Sequence, residues 1–155
     1  MVKTKDPKRV KQGKKNRAAG QRFELKVRKY LESKGWVVDR WSNQVELYKE
    51  NSIEVSGKLG GPFGKLIPAK SRFNMRTTGF PDFIAFRLVT FIAKVAKVDL
   101  PVYEILGIEV KSNGYLKPEE KEKCKWYLNN NIFSKILIAS KGEKRGEIVY
   151  KEFEK

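Results

Sequence analysis

Four runs rich in apolar and β-branched residues occupy the second half of the chain, and they constrain its fold more than any other feature. These runs are 81–88, 102–112, 132–140 and 147–153. Each has the composition or the alternation typical of a β-strand. The segment 117–130 lies between the second and third runs and has the signals of a helix, with Pro118 in its first turn. Strands with a helix among them predict an α/β or α+β domain, in which helices flank a central mixed sheet.

The first part of the chain contributes one more helix and one more strand. Apolar residues recur at helical spacing within 18–34 and give this segment one apolar face: Phe23, Val27, Tyr30 and Leu31. Gly35 ends this helix, and the run 36–41 that follows is typical of a strand. The predicted order is therefore helix, strand, insertion, two strands, helix and two strands. The segment 89–98 fits either a strand or a short helix.

The 155 residues suit one domain, which we predict over 18–155 with an insertion at 43–75, before the strand that carries the candidate catalytic residues. Glycines and lysines crowd this insertion, which either tracks a phosphate backbone or is a surface loop coated with lysines. Residues 1–17 carry eight Lys or Arg against one Asp, and we predict that they form a flexible basic arm. The arm either attracts phosphates without reading sequence or is a solvated tail with no specific role.

The charge of the chain indicates its partner. It has 34 Lys and Arg against 18 Asp and Glu, a formal net charge of +16. This excess predicts a polyanion, most simply DNA or another nucleic acid, with an anionic membrane surface as the second choice. The candidate DNA-binding residues are Lys58, Lys65, Lys70 and Arg72 in the insertion, Arg76 just after it, and Lys14, Lys15 and Arg17 in the arm. Because basic residues interrupt the most apolar stretch, 83–98, we expect a soluble, intracellular (cytoplasmic) protein that does not enter a membrane.

The lack of histidine and the presence of only one cysteine limit the catalytic and metal-binding chemistry open to the chain. The chain has no histidine, which excludes imidazole bases and every metal site that needs an imidazole ligand. It has one cysteine, Cys124, which excludes internal disulfides and Cys-rich zinc sites, and its helical spacing predicts a core position. A bound metal ion would therefore have oxygen ligands, as Mg²⁺, Mn²⁺ and Ca²⁺ prefer. A general base would be a carboxylate, a lysine, a tyrosine or water.

The residues best suited to chemistry are Asp82, in Gly-Phe-Pro-Asp, and the later pair Glu109 and Lys111. Side chains alternate between the faces of a strand, so Glu109 and Lys111 project to the same side. If the Asp82 strand pairs with the Glu109 strand, the two carboxylates meet beside the ammonium group. Together with a backbone carbonyl they would suit Mg²⁺, which neutralises phosphate charge and activates a bound water. The alternative is that Asp82 is a turn residue and that Glu109 and Lys111 form a surface salt bridge.

Glu24 is a third acidic candidate, on the first predicted helix. It would lie at the rim of the buried face and could join the metal site if the helix packs over that end of the sheet. The alternative is a solvent-exposed carboxylate that pairs with Arg28 one turn later, which would contribute only a few tenths of a kcal/mol. From spacing alone, the exposed pair is the preferred interpretation.

Taken together, these motifs resemble the PD-(D/E)xK nuclease superfamily. The residues that carry the resemblance are Gly79-Phe80-Pro81-Asp82, Gly107-Ile108-Glu109-Val110-Lys111-Ser112 and the helix start Leu116-Lys117-Pro118-Glu119-Glu120. The run 76–82 and the helix start are most similar to VRR-NUC domains. The helix with Glu24 and the run 109–112 are similar to archaeal Holliday junction resolvases. The resemblance covers residues 17 to about 140 without the insertion, and it implies a restriction-endonuclease-like core.

The resemblance also implies roles for the matching positions. Asp82, Glu109 and the backbone carbonyl of Val110 would bind the metal ion, and Lys111 would be the catalytic lysine. Glu24 would bind the metal ion directly or through water. Many members carry a glutamine early in the helix after the ExK motif, where this chain has Glu120. Glu120 would either hydrogen-bond the attacking water as an accessory residue or face solvent.

The function implied is a Mg²⁺-dependent DNA endonuclease, with Mn²⁺ as a substitute, that hydrolyses phosphodiester bonds by a metal-activated water. Branched DNA is the substrate suggested by the resolvases, and DNA repair or recombination is the corresponding setting. A homodimer is implied if the substrate is a junction, because two strands are then cut symmetrically. The alternative is a non-catalytic basic protein that binds nucleic acid on a nuclease-like scaffold.

Overall fold

A computed structural model describes residues 6–48, 64–70, 79–95 and 98–154. The helices and strands are α1 (Pro7–Ser33), β1 (Val37–Arg40), β2 (Asn43–Leu47), β3 (Gly64–Pro68), β4 (Phe83–Val95), β5 (Val98–Val110), α2 (Pro118–Asn129), β6 (Lys135–Lys141) and β7 (Ile148–Glu152). This order agrees with the one predicted from the sequence. Within the described residues, no helix is both long and apolar enough to cross a membrane.

The strands form a five-stranded mixed sheet and a separate two-stranded sheet. The larger sheet has the order β1-β4-β5-β6-β7, and the smaller one pairs β2 with β3. β5 and β6 run parallel, since α2 carries the chain back between them, while the other neighbouring strands are antiparallel. The predicted α/β class with a central mixed sheet is therefore confirmed. Part of the predicted insertion, 43–75, is the β2–β3 hairpin.

α1 covers one face of the large sheet. Its residues Phe23, Val27 and Leu31 are buried at four-residue spacing, and they pack against inward-facing residues of β1, β4, β5 and β6. The helix ends as predicted at Gly35, whose φ of +80° lies in a region that favours glycine. This packing fixes the second half of α1, residues 23–33, against the sheet.

α2 and the β2–β3 hairpin cover the opposite face. Buried residues of this second core include Val45 from the hairpin and Cys124, Trp126 and Tyr127 from α2. The alternation of β4 shows how the sheet separates the two cores. Phe83 and Ala85 belong to the core under α1, while Ile84 between them packs toward α2. The core position predicted for Cys124 is confirmed.

The start of α1 corrects the sequence prediction. The helix begins at Pro7, not at Ala18, so residues 7–17 of the predicted flexible arm are helical. Asp6 caps the helix, since its Oδ1 accepts a hydrogen bond of 2.9 Å from the backbone N–H of Lys8. Proline at the first position is compatible with a helix, and the lysines, arginines and glutamine that follow are good helix formers.

The central hairpin extends beyond its neighbours. β4 and β5 have thirteen residues each, but β1 pairs with 83–86 of β4 and β6 pairs with 106–110 of β5. The rest of the two strands forms a ribbon that continues to the pair Val95 and Val98, with an irregularity between Val89 and Ala93. Residues 89–95 are thus a strand, one of the two structures that the sequence allows there.

Candidate active site

The antiparallel pairing of β4 with β5 brings Asp82 and Glu109 together. Phe83 pairs with Ile108, so Asp82, just before β4, lies beside Glu109. The backbone N–H of Asp82 donates to Glu109 Oε2 at 3.2 Å. In turn, Asp82 Oδ2 accepts a hydrogen bond of 2.9 Å from the backbone N–H of Val110. The strand pairing on which the predicted site depends is therefore present, and each carboxylate is held by the backbone of the opposite strand.

A close backbone approach sets the position of Asp82. Pro81 packs over β5 at Gly107, where an added Cβ would lie 3.0 Å from Pro81 Cγ and 3.1 Å from Phe133 Cδ2. The backbone N–H of Trp41 also donates to the carbonyl of Asp82, at 3.1 Å, which ties the segment to the end of β1. A side chain at residue 107 would crowd Pro81 and move Asp82 away from Glu109.

Burial and nearby carboxylates make Asp82 and Glu109 hard to ionise. Glu109 is only 4% exposed. Burial is the main cause that raises its pKa to about 8, and the charge of the nearby Asp82 adds to the rise. Burial also raises the pKa of Asp82 to about 6, with Glu24 adding to the rise and the hydrogen bond from Val110 opposing it. Two such groups side by side attract a proton or a cation.

Lys111 supplies the positive charge of the site. Its Nζ lies 2.9 Å from Glu109 Oε1 and 2.7 Å from Glu120 Oε1. Burial lowers the pKa of Lys111, but the contacts with Glu120 and Glu109 outweigh burial and leave the pKa above its ordinary value. Lys111 is therefore a fixed cation at neutral pH and not a proton acceptor.

Glu120 has two structural contacts and is half-buried, so it does not simply face solvent. It is the third residue of α2, and its Oε2 accepts a hydrogen bond of 2.8 Å from the backbone N–H of Lys117, as in a capping box. Its Oε1 accepts from Lys111. Burial raises the pKa of Glu120, but the contacts with Lys111 and Lys117 outweigh it and hold the pKa below its ordinary value. Glu120 thus stays ionised and anchors the lysine to the start of α2.

Glu24 approaches the pair from α1. It follows the buried Phe23, is half-buried, and is close enough to Asp82 to raise the pKa of that residue. The exposed pair predicted between Glu24 and Arg28 is wrong, because Arg28 Nε instead lies 2.8 Å from Glu32 Oε1. The packing of α1 explains the difference, since burial of Phe23 and Val27 turns Glu24 toward the end of the sheet.

The donor set fits a hard divalent cation held by two carboxylates. Within the described part of the chain, no three acidic or cysteine side chains converge closely enough to hold a metal ion. Asp82 and Glu109 do meet, and Mg²⁺ is commonly bound by one or two carboxylates, with water and substrate phosphate completing its shell. Burial is the largest cause of their raised pKa values, and the charge of Lys111 offsets it only in part. A bound cation would offset it further.

The predicted DNA-binding residues that the structure describes lie in two places. Lys14, Lys15 and Arg17 are exposed on the first half of α1. Lys65 and Lys70 are exposed on and after β3, where Lys65 Nζ lies 3.4 Å from Glu46 Oε2. The other three, Lys58, Arg72 and Arg76, lie outside the described residues.

Comparisons with protein-family models, with curated proteins and with solved structures give no match to this chain.

Proposed function

We propose that this protein is a metal-dependent endonuclease that hydrolyses phosphodiester bonds of DNA. The observation that carries the proposal is the convergence of Asp82 and Glu109 beside the cationic Lys111, at the end of the β4–β5 pair. Burying Glu109 and partly burying Asp82 and Lys111 costs free energy that packing alone does not require. The cost is understandable if the group binds a cation and a phosphate. The central sheet with a helix on each face is also compatible with a restriction-endonuclease-like core.

Each residue has a chemical task in this proposal. Asp82 and Glu109 would hold Mg²⁺ or Mn²⁺, with the carbonyl of Val110 as a further ligand and Glu24 at the edge of the site. Such an ion, when bound, neutralises phosphate charge and lowers the pKa of its bound water. Lys111 stabilises the negative charge that develops on the phosphate oxygens, because it is a fixed cation. Glu120 keeps its ammonium group in place, and the basic surface attracts the DNA.

The substrate we favour is branched DNA, as in repair or recombination, cut by a homodimer when the substrate is a junction. The test is a cleavage panel with Mg²⁺ over branched, flapped, single-stranded and duplex DNA. Asp82→Asn and Lys111→Ala should each lower the rate about 100- to 1000-fold, as expected when a preorganised charge is removed. DNA binding in EDTA should stay within about threefold, since the net charge changes by one unit.

Two variants of α2 provide matched controls. Glu122→Gln and Lys125→Ala change charge by the same amounts on an exposed ion pair of 2.8 Å, and both should cleave at the wild-type rate. If Asp82→Asn and Lys111→Ala also cleave at that rate, the activity does not belong to this site. If the wild-type protein binds DNA but cleaves none of the panel, the protein is instead a non-catalytic nucleic-acid-binding protein.

A further inference from the structure

We propose that the first half of α1, residues 7–22, docks as a helix into the major groove of duplex DNA. We call this segment the basic half-helix. It is continuous with the packed half of α1, yet none of its residues is buried, and Phe23 is the first residue that contacts the core. The domain therefore presents a regular helix to solvent, where the sequence suggested only a flexible arm.

The basic half-helix is uniformly positive. It has no Asp or Glu and carries seven basic residues, which are Lys8, Arg9, Lys11, Lys14, Lys15, Arg17 and Arg22. The spacing of Lys8, Lys11, Lys15 and Arg22 places these four on one side of a helix. Its only large apolar side chain is Val10, which is 41% exposed. Charge, not apolar burial, is therefore the property that a partner would recognise.

A lone helix of this composition is weak. Lys11 and Lys15 are one turn apart and repel each other, and positive charges near a helix N-terminus oppose the helix dipole. Gly13 and Gly20 lower the helix propensity further. Each of these penalties, apart from the glycines, disappears when a polyanion lies against the helix. A bound polyanion would therefore stabilise this segment as a helix, in addition to the cap that Asp6 provides.

Duplex DNA suits this segment better than other polyanions. Sixteen residues at 1.5 Å each make a rod of about 24 Å, with a diameter of about 10–12 Å. The major groove of B-form DNA is about 12 Å wide and admits a helix. The major groove of A-form RNA is too narrow for this. A membrane-surface helix needs an apolar face, which the basic half-helix lacks.

The position of the segment connects it to the proposed active site. Glu24 lies two residues after Arg22 on the same helix, and it is close enough to Asp82 for its charge to raise the pKa of Asp82. A duplex in contact with the basic half-helix would therefore pass close to the acidic pair. The inference rests on the proposed function only for this placement, because binding can be measured with no cleavage at all.

The test compares two substitutions of Gly13 that leave all seven charges in place. A Cβ at Gly13 would meet nothing within 4 Å, so Gly13→Ala is accommodated. Gly13→Pro breaks the helix well before Phe23, the first buried residue of α1, so the packed domain is not disturbed. Gly13→Ala favours the helix, while Gly13→Pro breaks it in the middle of the basic half-helix. With the full chain in EDTA, measured by fluorescence anisotropy on a B-form duplex, Gly13→Pro should bind at least tenfold more weakly than Gly13→Ala. A smaller ratio would show a flexible electrostatic tether and overturn the proposal.

Two further measurements separate groove docking from general attraction. The binding constant falls as salt rises, and replacing Lys8, Lys11 and Lys15 by Gln should make the slope of log K against log salt about three units less steep. An unchanged slope would overturn the proposal. An RNA duplex of equal length, and vesicles of an anionic lipid, should each bind at least tenfold more weakly than the DNA duplex. Comparable binding to either would also overturn it. None of these outcomes depends on Asp82 or Glu109, so the proposed nuclease activity stands or fails separately.

Discussion

Replacing Glu109 by Gln should stabilise the metal-free protein at alkaline pH, even though it removes a proposed metal ligand. Glu109 is 4% exposed, and its pKa rises from 4.5 to about 8 in the folded state. A folded-state pKa above the unfolded value means that the native protein holds the proton more tightly. Stability is therefore lost as pH rises from about 4.5 to about 8, and the loss is complete above pH 8. A neutral glutamine does not suffer this loss.

The size of the effect follows from the two pKa values. A rise from 4.5 to about 8 corresponds to at most about 5 kcal/mol at 1.36 kcal/mol per unit. Glutamine has one acceptor oxygen, so it keeps only one of the contacts with the Asp82 N–H and Lys111 Nζ. Losing a charge-assisted hydrogen bond costs about 1.5–3 kcal/mol. The net gain at pH 8 is therefore about 2 kcal/mol, or about 4–8 °C in Tm for a chain of this size.

The assay is thermal unfolding in EDTA at pH 4.5 and pH 8. Glu109→Gln should melt at or below the wild-type temperature at pH 4.5 and above it at pH 8. The control is Glu122→Gln, which removes an exposed carboxylate in an ion pair with Lys125 and should stay within about 0.5 kcal/mol at both pH values. If the difference between Glu109→Gln and the wild type is the same at both pH values, Glu109 is not held in the proton-binding state that its burial implies.

Two other predictions concern the core under α2. Tyr127→Phe should lower the free energy of unfolding by about 1–3 kcal/mol in urea or thermal unfolding. The reason is that the buried Tyr127 hydroxyl donates to the Phe80 carbonyl at 2.6 Å and accepts from Trp41 Nε1 at 3.2 Å. An unchanged unfolding midpoint would contradict this prediction. Cys124, fully buried with its pKa raised to about 12 by burial and nearby carboxylates, should react with a thiol reagent only as fast as the protein opens, so its labelling should accelerate with urea. Rapid labelling of the native protein would show that the α2 core is open.

The strands were predictable because each carries its own local pattern. Phe83, Ile84 and Ala85 are all apolar, and the sheet buries them toward one core or the other. A strand covered on both faces therefore leaves a continuous apolar run in the sequence, which is easy to find. The pairing of β2 with β3 joins segments separated by residues 48–63, and no local pattern in the sequence specifies that register.

The sequence predicts the approach of Asp82 to Glu109 only if the strands that carry them pair. Strand alternation places Glu109 and Lys111 on one face, but it does not choose the neighbouring strand. The sequence analysis did not predict the contact between Lys111 and Glu120. The sequence does, however, hold a signal for the position of Glu120. Lys117 and Glu120 have the spacing of a capping box, which holds the Glu120 carboxylate at the start of α2. The reach of Lys111 to that carboxylate depends on how α2 packs, which is a tertiary property.

Apolar periodicity alone does not locate the start of α1. That periodicity begins at Phe23, the first residue to reach the core. The cap signal of Asp6 followed by Pro7 was present in the sequence, and it marks a helix start without any apolar face. A helical segment that does not pack against the core has no amphipathic pattern. Only its cap and the helix propensities of its residues indicate it in the sequence.

The long β4–β5 ribbon divides the sheet into parts of unequal local stability. Near Phe83 and Ile108 each strand has a partner on both sides, while beyond Phe86 and Ile105 the described pairing joins the two strands only to each other. Backbone hydrogen bonds in the outer part can open without unzipping the five-stranded part, as in a separate cooperative unit. Fluctuations of the ribbon therefore need not separate the two acidic groups, which lie at the end of the hairpin where the sheet is widest.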